Sequence, residues 1–96
     1  MPAYVIVLRM SPVHDPAAMA EYQRLGRENR GDFKLVPRVV YGATEALEGE
    51  APDGVVVLEF PTVEDARTWY NSPGYQAALP HRLKSAEYRS FIVEGL

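Results

Sequence analysis

The sequence predicts an α+β fold of βαββαβ order, with four antiparallel strands in one sheet and the helices on one of its faces. Three observations predict it. Two segments, 3–10 and 54–60, are apolar and β-branched without the alternation of a half-exposed strand. Two helix starts carry capping residues, at Asp15-Pro16 and at Thr62. Strand-like and helical stretches alternate through 96 residues with no repeat, linker or low-complexity run. A chain of that length forms a single domain, 1–96.

The first strand, 3–10, is broken only by the charge of Arg9 and stops at Ser11-Pro12. Asp15 then caps a helix with proline at its first position. Met19, Tyr22 and Leu25 recur at helical spacing, opposite Glu21, Arg24 and Glu28, and Gly31 supplies a stop. Val36 to Tyr41 is a second strand, and Pro37 places it at a sheet edge because proline donates no ladder hydrogen bond. Residues 42–47 are expected to continue it past a bend at Gly42. Gly49 to Gly54 has turn chemistry. The third strand, 54–60, carries one charge, Glu59, and ends at Pro61. Thr62 to Asp65 forms a capping box, opening a helix with Val63, Ala66 and Tyr70 on one side. Ser72-Pro73 starts another helical piece through Tyr75, Ala78 and Leu79, expected to bend or break at Pro80. Phe91 to Val93 is the last strand.

The first and third strands are the most continuously apolar, so they belong in the middle of the sheet. Helices on one face leave the other apolar face uncovered. A second sheet is the natural cover, which predicts a homodimer paired through sheet faces. The size of the chain and its lack of cysteine point the same way, since a small unstapled core gains from association.

Composition excludes several function classes. A net charge of −3 without a basic patch argues against nucleic acid as a partner. No apolar run is long enough to span a bilayer, and Met1 to Tyr4 lacks a basic leader, so a cytoplasmic protein without membrane association is expected. With no cysteine and two distant histidines, His14 and His81, no metal-ligand spacing is present. Neither a metal nor any other cofactor is expected.

The segment Leu58 to Gln76 contains Glu59-Phe60-Pro61 followed by a helix ending Trp69-Tyr70-Asn71-Ser72-Pro73-Gly74-Tyr75-Gln76. It resembles the signature of the domain of unknown function 1330 family. Asp15-Pro16, Glu21-Tyr22, Pro80, Arg82, Leu83 and Val93-Glu94-Gly95 fit the same pattern, so the resemblance covers nearly the whole chain. It implies a ferredoxin-like fold paired into a dimeric α+β barrel, and no established activity. The chain departs from the family's pattern at Arg30 to Pro37, at Tyr41 to Thr44 and at His81.

Two neighbouring folds suggest themselves and fail on residues. Haem-degrading monooxygenases on this barrel use an asparagine near the first strand, where Tyr4, Ile6 and Leu8 stand here. RNA-binding βαββαβ sheets need aromatic and basic positions that the third strand lacks.

The remaining candidates for chemistry each have a structural alternative. Arg9 and Glu59, as lone charges in central strands, need partners: each other, or Arg38 or Arg82 across the sheet. Alternatively Glu59 lines a pocket as a general base. His81 is the other candidate for proton transfer, since imidazole titrates near neutrality, or else it is a partly exposed residue beside a helix break. Arg38 or Arg82 would orient an anionic or enolic substrate. Trp69, Tyr22 and Tyr75 would wall a cavity, or simply pack the core. The expectation is therefore a protein that binds a small organic metabolite, aromatic or polyketide-like by analogy of fold, and transforms it without a cofactor if it is an enzyme. The alternatives are a non-catalytic dimeric binding or regulatory module, and a structural protein with a filled interior.

Overall fold

The computed structural model describes residues 1–29 and 31–96; Arg30, in the first loop that departs from the family pattern, lies outside the described residues. In chain order the elements are β1 (Ala3–Arg9), α1 (Pro16–Glu28), β2 (Val36–Val40), β3 (Gly54–Phe60), α2 (Val63–Tyr70), α3 (Pro73–Ser85) and β4 (Tyr88–Glu94). The strands form one antiparallel sheet in the order β2-β3-β1-β4. The two most apolar strands are central and the proline-bearing strand is at an edge, as the sequence predicts.

The helix starts follow the side-chain chemistry. Asp15 Oδ1 accepts the Ala18 amide at 3.0 Å, Thr62 Oγ1 accepts that of Asp65 at 3.1 Å, and Ser72 Oγ accepts that of Tyr75 at 3.3 Å. Each satisfies an amide that a helix start leaves without a partner.

Three expectations on element bounds are corrected. The second strand ends at Val40, and 42–47 are not strand. Tyr41 takes φ 53°, a left-handed conformation that breaks an extended chain. Helix α3 neither ends nor breaks at Pro80. The ring sits on the solvent side, as does Gln76 one turn earlier, so water can satisfy the carbonyl that the missing amide abandons. Strand β4 begins at Tyr88, because all seven of its residues pair with β1.

Register fixes what each face of the sheet carries. Ala3, Val5 and Val7 stand opposite Phe60, Leu58 and Val56 on the side the helices cover. With Ala66, Trp69, Tyr75 and Leu79 they build the core. Tyr4, Ile6 and Leu8 face the other way, with Val57, Val55, Phe91 and Val93 as neighbours. Nothing among the described residues covers this second face, and Phe91 is 47% exposed.

Candidate functional site

Helices α1 and α3 pack against each other and leave a cavity between themselves and the helix side of the sheet. Helical periodicity selects its walls. On α1, Met19, Tyr22, Gln23 and Gly26 recur three or four residues apart; on α3, Tyr75 and Arg82 are two turns apart. Trp69 of α2 and Leu58 of β3 complete the walls. Two adjoining lobes share Tyr22, Gln23, Leu58, Trp69 and Tyr75. The outer one holds about 390 Å³ and reaches Gly26, Asn29 and Gly74; the inner one holds about 280 Å³ and reaches Val7, Tyr41 and Arg82. Cavities of this size accommodate small organic ligands.

Aromatic rings cluster at the cavity. Trp69 lies 4.2 Å from Tyr75 and 5.4 Å from Phe60, centroid to centroid. Tyr22 meets Tyr75 edge-on, and their hydroxyls are 3.1 Å apart. Closer to solvent, the hydroxyls of Tyr41 and Tyr88 are 3.3 Å apart. Between these two phenol pairs sits the guanidinium of Arg82, 4.7 Å from the Tyr88 ring centroid and 5.9 Å from that of Tyr22. Burial pushes the Tyr22 hydroxyl well above the usual phenol range, and Tyr75 beside it adds to the shift. Burial and the bond to Tyr88 do the same for Tyr41. These two hydroxyls therefore remain protonated at neutral pH and can donate hydrogen bonds.

Arg82 is the anomaly of the site. It is 2% exposed, and its Nε and Nη1 have no hydrogen-bond partner among the described residues. No carboxylate of the described residues forms an ion pair with it. An unpaired buried guanidinium is costly, and the stacked rings offset only part of that cost.

The residues expected to act together are divided by the sheet. Tyr22, Trp69, Tyr75 and Arg82 meet at the cavity. Glu59 does not, because it is opposite Tyr4 on the uncovered face, where its Oε1 accepts from Arg38 Nε at 3.2 Å. Arg9 is not its partner: Arg9 pairs with Gly54 at the other end of the strands, about 17 Å along β3. Arg9 instead donates from Nη2 to the Asp53 carbonyl and lies against the Tyr41 ring. His81 lines neither lobe. It is near α1, where the hydrogen bond from Arg24 foremost, and then the charges of Arg24 and His81, lower the Glu21 carboxyl below its usual range. Tyr41, Tyr88 and Gly26 were not legible as site residues. A tyrosine at a strand start and a glycine inside a helix have meaning only once register and packing are known.

The family model for the domain of unknown function DUF1330 matches residues 2–96. The chain belongs to this family. No curated protein matches the DUF1330 chain in sequence. Among solved structures, it is similar to a protein of unknown function from Rhodopseudomonas palustris, 21% identical over 99% of this chain and 82% of that one, with a TM-score of 0.71. It is also similar to a dimeric protein of unknown function with a ferredoxin-like fold from Bacteroides fragilis, 17% identical over 98% and 96% of the two chains, with a TM-score of 0.61. A third neighbour is an ethyl tert-butyl ether D family protein from Bacillus halodurans, 16% identical over the full length of both chains, with a TM-score of 0.64. At these identities the likeness shows the fold: this DUF1330 chain is ferredoxin-like. No helix of the described residues is long and apolar enough to cross a membrane.

Proposed function

We propose that this chain binds a small organic anion, a carboxylate or enolate on an aromatic body, in the cavity between its helices and its sheet. The observation that carries the proposal is Arg82: buried, without an ion-pair partner among the described residues, and lining a cavity walled by Trp69, Tyr22 and Tyr75. An anion seated there would offset the charge of the guanidinium, and charge-assisted hydrogen bonds to guanidinium are among the strong ones. The neutral phenols would donate to the same oxygens, and the aromatic walls would take a flat ring. Glu59 and His81 are away from the lobes, so the proposal is for binding and polarisation, with no step assigned to either.

The test is a calorimetric titration with aromatic carboxylates such as benzoate. Wild type is expected to bind, and Arg82→Met to lose at least about tenfold in affinity, as losing a hydrogen bond to a charged group implies. Equal affinity in the two proteins would overturn the proposal.

We also propose that the chain is a homodimer paired through the uncovered sheet face. The apolar row of Ile6, Val57, Phe91 and Val93, and the dimeric state of the Bacteroides fragilis neighbour, support this. Phe91→Glu places a charge in the middle of that row. Light scattering should show a dimer for wild type and a monomer for the variant, with the dissociation constant raised about a hundredfold or more. A monomeric wild type at micromolar concentration would refute the pairing.

A further inference from the structure

Gly26 differs from the other glycine at the cavity. A methyl group at Gly74 would lie 2.6 Å from the Asn29 Cβ, so close packing of α3 on α1 requires that glycine. At Gly26 a methyl group would meet nothing within 4 Å, and the backbone there is ordinary helix. Glycine is the poorest helix former after proline, so this residue costs stability without a packing or backbone reason. It occupies a defined place. Met19, Tyr22 or Gln23, Gly26 and Asn29 follow one face of α1 from the inner lobe to the outer one, and at position 26 that row carries no side chain.

The helices also set a length. The α1 row descends from Gly26 to Met19, and α3 from Gly74 to Arg82. Seven or eight residues at helical rise give roughly 10–12 Å between mouth and floor. Arg82, buried and without an ion-pair partner among the described residues, defines the anionic end.

We infer that Gly26 is the specificity-determining residue at the mouth: it keeps the outer lobe open for an elongated aryl carboxylate whose acid meets Arg82 and whose far end passes between α1 and α3. This rests on the anion-binding role of Arg82, and the two can be tested apart. Benzoate serves as a short probe and a biphenyl carboxylate as a long one, titrated into wild type, Gly26→Ala and Gly26→Leu.

Wild type binds both acids. Both variants fold, and Gly26→Ala melts a few degrees higher, as replacing an exposed helical glycine does. Gly26→Leu weakens the biphenyl acid by about tenfold or more while leaving benzoate unchanged, the scale expected when a side chain occupies a ligand's space. Equal loss, or equal retention, of both acids in Gly26→Leu would overturn the role of Gly26. A wild type that takes benzoate and refuses the longer acid would overturn the inferred length and leave Arg82 as the anion site. A wild type that binds neither acid would overturn both.

Discussion

The two faces of the sheet each hold an arginine, and the contrast between them separates structure from function. Arg38 lies on the uncovered face with its own carboxylate partner, Glu59, in a half-exposed ion pair. Arg82 lies under the helices with two of its nitrogens unanswered by the described residues. A charge that the chain pairs for itself is explained by folding. A buried charge left unpaired raises the free energy of the protein, and on the proposed reading a bound anion offsets that cost. The apolar character of the two faces divides similarly: on one side it packs the chain's own helices, on the other no described residue covers it.

Deleting the wall of the covered face tests the division most strongly. Trp69→Ala removes the ring that joins Phe60 to Tyr75 and should destabilise the protein by about 3–5 kcal/mol, measured by urea unfolding. A loss below about 1 kcal/mol would mean that the indole lines the cavity without supporting it.

A smaller effect should appear at high pH. The Tyr22 hydroxyl is raised above its ordinary value of 10.0, so between that pH and its folded-state value the unfolded chain has lost a proton that the folded chain retains. Stability therefore falls as pH rises above about 10, with a slope of at most about 1.4 kcal/mol per pH unit from this one group. Tyr22→Phe should flatten that slope, and leave stability between pH 6 and 9 without any added dependence on pH. An unchanged alkaline limb would remove Tyr22 as its source.

The smallest effect belongs to the paired arginine. Glu59→Gln should change stability by less than about 1 kcal/mol, since an ion pair so open to solvent contributes little. It should leave the affinity for benzoate untouched, because the carboxylate is on the opposite face from the cavity. A binding defect would contradict that separation.

Much of the fold could be read from the sequence because its signals are local. Asp15, Thr62 and Ser72 cap helices with their own side chains, and the apolar runs of β1 and β3 state their central position. Pro80 misled because the cost of a helical proline depends on whether the abandoned carbonyl faces water, which sequence does not state. The site was legible only in part. Tyr22, Trp69, Tyr75 and Arg82 could be nominated as aromatic or cationic residues on helices. Glu59 was drawn into the same group because the parity that turns it away from Phe60 becomes visible only in the register of β1 against β3. Tyr41 and Tyr88 are 47 residues apart and meet through the sheet, so nothing near either one announces the pair.

The most direct test of the central claim is the melting temperature of Arg82→Met against wild type, each with and without saturating benzoate. If the guanidinium awaits a ligand, the empty variant should melt at or above the empty wild type, by up to about 1–4 kcal/mol of added stability. Benzoate should then raise the melting point of wild type alone. An empty variant that melts well below wild type, together with equal benzoate shifts in the two proteins, would show that Arg82 serves the fold and would contradict the account.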